Sequence, residues 1–117
     1  MDKQGKIWGN TSEVFNKNNV EIHRIEGKAN SHCSKHMHRH KFNMFFIESG
    51  YMTVKRWKND YDFVDSTILT EGQSCIVPPC EYHQFEVEEY CVAYEIYWVE
   101  IDSKDIIRES VGGISNE

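Results

Sequence analysis

Three histidines occupy alternate positions in the short segment SKHMHRHKFNMFF, namely His36, His38 and His40, and His32 has the same parity. Alternate side chains of a β-strand project from the same face, so a strand would present these imidazoles together. A helix would separate them, because residues two apart are not neighbours on its surface. Neutral imidazole is a common metal ligand, so the pattern suggests a metal site. The alternative is an exposed basic strand, or histidines satisfied by ordinary hydrogen bonds.

A complete metal site needs a further ligand from elsewhere in the chain, because two histidines of one strand fill only adjacent corners of a coordination sphere. His83 is the candidate for this ligand. It follows Pro78 and Pro79, and a turn at these prolines would present the first residues of the next strand.

Short strand-like runs surround both groups of histidines. Runs rich in β-branched and aromatic residues include VEIHRI, KFNMFFIES, YMTVKRW, YHQFEV and YCVAYEIYWVEI, and turn signals occur at Gly50, Gly72 and the two prolines. Strands of about four to eight residues with turns at this spacing predict an all-β fold, a sandwich or barrel of antiparallel strands.

The C-terminal segment has a different pattern. Asp102 or Ser103 can cap a short helix that carries Ile106 and Ile107, and a pair of glycines would end it. We therefore expect a single domain over residues 1–117, which is an ordinary domain size. Its expected parts are an N-terminal arm at 1–19, a barrel core at about 20–101, and the short C-terminal helix and tail at 102–117.

Composition excludes several classes of protein. The net charge of −6 argues against nucleic acid or an anionic membrane as the main partner, because both need a positive field. The N-terminus has no signal-peptide pattern, and no apolar run is long enough to span a bilayer, so we expect a cytoplasmic protein. The four cysteines form no CxxC pair, which predicts reduced and mostly buried thiols.

The spacing from His36 to Gly50 and from Gly72 to His83 resembles the two motifs of the cupin superfamily. The resemblance covers about residues 30 to 90. It implies a small antiparallel double-stranded β-helix, the cupin jelly-roll barrel, that holds one divalent metal ion through two histidines and a glutamate of the first motif and one histidine of the second. Asn43 stands where the family usually has the glutamate. Cys80 and Val87 replace the usual glycine and asparagine of the second motif.

The cupin resemblance implies His36, His38 and His83 as metal ligands, assisted by Asn43 or water. His38 and His40 form an alternative pair, but the distance to Gly50 in the sequence favours the earlier pair. Three imidazoles and one neutral oxygen suit Zn, Mn, Co, Ni or Fe. A vestigial site, from which the ligand at position 43 has been lost, is the alternative.

Within the cupins, SKHMHRHKFNMFFIESGYMTV, TEGQSCIVPPCEYHQFE and KDIIRES resemble the cupin domain of type II mannose-6-phosphate isomerases over roughly residues 30 to 110. This resemblance implies aldose–ketose isomerisation of a phosphorylated sugar, with the metal as Lewis acid. The closing tyrosine-glycine-arginine run of that family is missing, because Val111 to Ile114 reads VGGI.

An isomerase also needs a base and a phosphate site. His40 is the candidate base by parity, with Glu48 a poorer one. Arg108 and Lys55 are candidate phosphate contacts, and Lys41 and Arg56 are further available cations. Two other hypotheses remain open: a noncatalytic cupin that binds a sugar or other small molecule, and a metal-dependent cupin oxygenase or lyase.

The expected partners are a small-molecule ligand and a second copy of the chain. Cupins commonly form homodimers, and the N-terminal segment KIWGNTSEVF carries the apolar side chains of Ile7, Trp8, Val14 and Phe15. We therefore expect this segment to contribute to a dimer interface.

Overall fold

A computed structural model describes residues 3–58, 63–99 and 105–115 of the chain. Ten β-strands make up the regular structure of this part, which confirms the predicted all-β class. The strands are β1 (Lys3–Lys6), β2 (Gly9–Lys17), β3 (Val20–Gly27), β4 (Ser31–His32), β5 (Phe42–Ser49), β6 (Met52–Trp57), β7 (Asp65–Leu69), β8 (Ser74–Val77), β9 (Tyr82–Val87) and β10 (Cys91–Trp98).

The strands form two antiparallel sheets. The six-stranded sheet has the order β1-β2-β3-β10-β5-β8, and the four-stranded sheet has the order β4-β9-β6-β7. Strands that are neighbours in sequence often lie in different sheets, as β5 and β6 do. This crossing between two facing sheets agrees with a jelly-roll arrangement.

The apolar core lies between the two sheets. It includes Phe45 and Ile47 from β5 and Val54 and Phe85 from the opposite sheet, each at most 2% exposed. Burial alternates along β5 at Asn43, Phe45 and Ile47, because successive side chains of a strand point to opposite faces. The same alternation that builds the core therefore also turns the amide of Asn43 inward.

The N-terminal segment extends the six-stranded sheet. Residues 3–17, which we expected to form an arm, contain β1 and β2, and β2 pairs with β3. Of the candidate interface side chains here, Ile7 is 91% exposed and Phe15 is 45% exposed.

The predicted C-terminal helix is absent from the described part of its range. Residues 105–115 form no helix, and residues 102–104 lie outside the described segments. Ile106 is 58% exposed and Ile107 is 99% exposed, so the apolar side of such a helix would find little to pack against among the described residues. Short helices without tertiary packing are marginal in water, which explains the difference. In the described segments there is also no helix of the length and apolarity that crossing a membrane requires.

Candidate metal centre

Three histidine side chains converge between the two sheets. One ligand atom from each of His36, His38 and His83 lies within 4.8 Å of the others. The ring centroids of His36 and His83 are 4.5 Å apart, and those of His36 and His38 are 5.2 Å apart. The structure thus brings together histidines that lie far apart in the sequence, since His83 follows His38 by 45 residues, and the group could hold a metal ion.

Backbone hydrogen bonds hold these histidines in register. His36 lies outside the main strands, yet its N–H donates to the carbonyl of His83 at 3.0 Å, and the N–H of His83 donates back at 2.8 Å. The carbonyl of His38 accepts from the N–H of Cys80 at 2.7 Å. Cys80 has a φ of 64° at the turn after the two prolines. The turn thus fixes the first histidine motif against the second.

Hydrogen bonds also select the tautomer of two imidazoles. Nδ1 of His36 lies 2.8 Å from the carbonyl of Ser34, and Nδ1 of His83 lies 3.1 Å from the carbonyl of Glu81. A carbonyl oxygen only accepts, so both Nδ1 atoms carry the proton and both Nε2 atoms keep a lone pair. Nε2 of His38 is buried without a hydrogen-bond partner among the described residues. Nε2 of His36 and Nε2 of His38 are therefore available to coordinate, and Nε2 of His83 has only the long contact to the side-chain amide of Asn43.

Burial keeps the imidazoles of His38 and His83 neutral. Desolvation, with smaller contributions from the neighbouring histidines His36 and His83, lowers the pKa of His38 to about 4. Desolvation also lowers the pKa of His83. A neutral imidazole is the form that binds a metal, so the site is prepared for coordination at neutral pH.

Asn43 completes the donor set. Its side chain is fully buried, and Nδ2 lies 3.3 Å from Nε2 of His83 and 3.3 Å from Oε2 of Glu95. Its Oδ1 is buried without a hydrogen-bond partner in the described part of the chain. Two orphaned polar atoms, this oxygen and the His38 nitrogen, are costly in an apolar interior unless a ligand satisfies them. Three imidazoles with an amide oxygen fit a divalent transition metal.

Glu95 and Tyr97 are site residues that the sequence reasoning missed. Glu95 is 9% exposed, accepts a hydrogen bond from the hydroxyl of Tyr97, and is bonded to Asn43. Burial raises the pKa of its carboxyl group, although the bonds from Tyr97 and Asn43 oppose the shift. A signal was present in the sequence: Glu95 has the parity of Cys91 and Ala93, the buried side of CVAYEIYWV.

An open cavity of about 720 Å³ adjoins the cluster at His36, which is the member of the three histidines that lines it. His36, Glu95 and Tyr97 line one part of it, and Trp8 and Phe85 line another. Trp8 and Phe85 meet edge to face at 4.9 Å. The cavity therefore combines polar groups beside the histidines with an aromatic wall, which is the usual composition of a small-molecule site.

The remaining predicted site residues lie elsewhere on the molecule. His40 and Arg108 are exposed, and neither lines this cavity. Lys55 forms an ion pair with Glu86 at 2.7 Å. The roles assigned to His40, Lys55 and Arg108 stay predictions.

Two further cations named from the sequence have acidic partners. Lys41 lies 3.8 Å from Glu21, and Nε of Arg56 is 2.8 Å from Oε2 of the buried Glu81. The backbone carbonyl of Glu81 accepts a hydrogen bond from the ring of His83 and so orients it. The ion pair with Arg56 therefore helps to hold Glu81 in place beside this histidine.

Comparison with solved structures identifies the fold. The chain superimposes on KdgF from Halomonas sp. with a TM-score of 0.74 and 12% identity, over 86% of this chain and 90% of that chain. The cupin domain of Schizosaccharomyces pombe Cnp3 gives a TM-score of 0.71 and 14% identity, over 86% and 69% of the two chains.

The chain has a cupin fold. A variant of oxalate decarboxylase from Bacillus subtilis is also similar, with a TM-score of 0.73 and 14% identity over 84% of this chain and 27% of that chain. No protein-family model matches the sequence, and comparison with curated proteins finds no similar sequence. The similarity therefore lies in the cupin architecture.

Proposed function

We propose that this cupin binds a divalent metal ion through His36, His38 and His83, with Asn43 as a fourth ligand, and promotes proton transfer on a small oxygen-rich molecule. One observation carries the proposal: His36, His38 and His83 each place one ring nitrogen within 4.8 Å of the others, and His36 lines an open cavity.

The chain supplies the polar groups for such a reaction. A bound divalent metal would act as a Lewis acid on a substrate oxygen, which makes a neighbouring C–H or O–H proton easier to remove. Glu95 faces the same cavity as His36, and the raised pKa of its carboxyl group brings it closer to the range of a general acid–base residue. The hydroxyl of Tyr97 donates to this carboxylate and holds it in place.

Aldose–ketose isomerisation of a phosphorylated sugar is the reaction that we propose first. The support is the sequence resemblance to type II mannose-6-phosphate isomerases together with a carboxylate beside the histidines. In this reaction a base takes a proton from C2 of the aldose and delivers it to C1, while a proton moves from the C2 hydroxyl to the C1 carbonyl oxygen through the enediol. Glu95 is a candidate for this base in addition to His40, because it lines the cavity.

Noncatalytic binding of a small molecule is the second candidate. It is favoured by the positions of the cations named for phosphate binding, since Lys55 is paired with Glu86 and Arg108 is exposed on the C-terminal segment. A binding cupin would use the histidine cluster and the aromatic wall without a proton-transfer step.

Metal content tests the binding half of the proposal. We expect the purified chain to hold close to one equivalent of divalent metal by elemental analysis. His83→Ala should lose most of it, because His83 is one of three imidazole ligands. His40→Ala is the matched control and should keep the parental content. Equal metal in His83→Ala and the parent would contradict the ligand assignment.

Turnover tests the catalytic half. We expect the metal-loaded chain to interconvert mannose 6-phosphate and fructose 6-phosphate, and Glu95→Gln to lose at least about 100-fold in kcat while metal content stays unchanged. Binding of these compounds by calorimetry without turnover would favour the noncatalytic candidate.

A further inference from the structure

The open cavity beside His36 does not share the acidic character of the whole chain. The chain has 13 Lys and Arg residues against 19 Asp and Glu residues. In the described segments, Glu95 supplies the single carboxylate among the residues that line the cavity. The basic side chains that line it are Lys6, His23, His32 and His36. A concave surface with few like charges and a lysine concentrates anions, so this cavity suits an anionic molecule.

Acidic side chains around the cavity are bonded within the protein. Glu95 is buried and accepts hydrogen bonds from two neighbouring side chains. Glu13 accepts a hydrogen bond from Asn16 at 2.8 Å, and Glu21 lies 3.8 Å from the ammonium group of Lys41. Neither Glu13 nor Glu21 lines the cavity. A ligand in the cavity therefore meets little exposed negative charge.

The hairpin of β1 and β2 forms one wall of the cavity. Gln4 and Lys6 are two residues apart on β1, and Thr11 on β2 is the register partner of Gln4. Side chains two apart on a strand project from the same face, and so do side chains directly opposite each other on paired strands. All three residues line the cavity. We call Gln4, Lys6 and Thr11 together the hairpin face.

Lys6 has no carboxylate partner among the described residues, and its side chain is exposed. Ion pairs at 2.7–3.8 Å occupy four other lysines, namely Lys3, Lys41, Lys55 and Lys58. The amide of Gln4 and the hydroxyl of Thr11 are neutral hydrogen-bond donors on the same face as Lys6. An unpaired ammonium group beside neutral donors suits the oxygens of a phosphate or a carboxylate.

We propose that the hairpin face is an anion subsite, which holds the phosphate or carboxylate group of the small molecule through the ammonium group of Lys6. The inference rests on the proposed function for the other end of the molecule, which lies at the histidine cluster beside His36. One cavity contains both ends, and its volume of about 720 Å³ is that of an ordinary ligand site. Lys6 thus joins Lys55 and Arg108 as a candidate phosphate contact, and it lines the cavity.

Calorimetry with three sugars tests the subsite. The metal-loaded full chain should bind mannose 6-phosphate or glucuronate more tightly than neutral mannose, and the preferred anion distinguishes a phosphate from a carboxylate ligand. Lys6→Gln should raise the Kd for the preferred anion at least about fivefold and leave the Kd for mannose unchanged. Added NaCl should weaken anion binding in the parent more than in Lys6→Gln, because salt screens the charge of Lys6.

Two further variants are the controls. Lys17→Gln removes the same charge at the far end of β2, where Lys17 is exposed and does not line the cavity, so it should bind like the parent. Lys6→Arg keeps the charge and should keep most of the affinity for the anion. Equal weakening by Lys6→Gln and Lys17→Gln would show a general effect of net charge and would overturn the subsite.

Other outcomes separate the subsite from the proposed function. Turnover of mannose 6-phosphate with an unchanged KM in Lys6→Gln would overturn the subsite and leave the proposed reaction standing. Anion binding that depends on Lys6 without turnover would support the subsite and contradict the reaction. A parent chain that binds neither anion, or binds both no better than mannose, would overturn the subsite, whereas the metal content of His83→Ala tests the histidine cluster independently.

Discussion

At the scale of single residues, Asn43 and Glu95 together set the charge of the site. The cupin resemblance implies a glutamate at position 43, where this chain has Asn43. The structure places the buried carboxylate of Glu95 on β10, the neighbour of β5 in the sheet, 3.3 Å from the side-chain nitrogen of Asn43. A second carboxylate at position 43 would stand beside Glu95 in a buried space, where like charges repel strongly. The amide avoids this repulsion and donates a hydrogen bond to Glu95.

This coupling predicts the effect of restoring the acid. Asn43→Glu should lower the free energy of unfolding of the metal-free chain by about 2 kcal/mol or more at pH 7, since it buries two adjacent carboxylates. Urea denaturation measures the change. The double variant Asn43→Glu/Glu95→Gln should recover most of the loss. If it is as unstable as the single variant, steric crowding rather than charge explains the effect.

The lowered pKa of His38 predicts an acid dependence of stability in the metal-free chain. Its pKa falls from 6.5 to about 4 through burial. Between these pH values the unfolded chain binds a proton that folded His38 does not, so stability decreases as the pH drops through this window. The expected loss is about 1–2 kcal/mol, because the partial exposure of the ring lets solvent screen part of the effect. Urea midpoints of the chelated protein at pH 7 and pH 5 measure it.

His38→Asn is the control for that pH dependence. Because asparagine does not titrate, the variant should lose less stability than the parent between pH 7 and pH 5. Equal losses would show that other groups cause the acid sensitivity.

At the scale of elements, β5 and β10 serve two surfaces at once. Their inward residues include Asn43 and Glu95 at the candidate metal centre, and their outward residues include Met44 and Ile96 on the opposite face of the sheet. Both sets follow from a side-chain period of two. A register slip of one residue would exchange them, so the pairing of these strands must be strongly specified.

Two glycines with similar backbone angles should respond differently to substitution. Gly50, between β5 and β6, has a φ of 80°, and a Cβ there would lie 2.8 Å from the carbonyl oxygen of Tyr90. Gly72, between β7 and β8, has a φ of 78°, and a Cβ there would meet nothing within 4 Å. Gly72→Ala should cost about 1–2 kcal/mol from backbone strain alone, and Gly50→Ala about 2–5 kcal/mol because a clash is added. Urea denaturation of both variants measures the difference, and equal costs would argue against the close approach at Gly50.

At the scale of the whole molecule, the C-terminal segment contributes little to the described fold. Every residue of 105–115 is exposed, so removal of residues 105–117 should change the free energy of unfolding by less than about 0.5 kcal/mol. Metal content should also stay the same. The truncation removes Arg108, and a large loss of affinity for a sugar phosphate would support the role predicted for this residue.

The sequence by itself determined the fold class and the group of histidines. Strand-length runs and turn residues are local signals, and the spacing of His36, His38 and His83 reports which side chains share a face. The C-terminal helix was a wrong prediction in residues 105–115 because capping and apolar spacing cannot show whether a helix has anything to pack against.

Only the tertiary structure decided the surroundings of the site. Glu95 lies 52 residues from Asn43 in the chain, and the register of β5 against β10 brings the two side chains into contact. The tautomers of His36 and His83 and the aromatic wall at Trp8 likewise depend on which segments become neighbours. The packing of the whole chain decides which distant strands pair, and local sequence patterns do not predict this pairing.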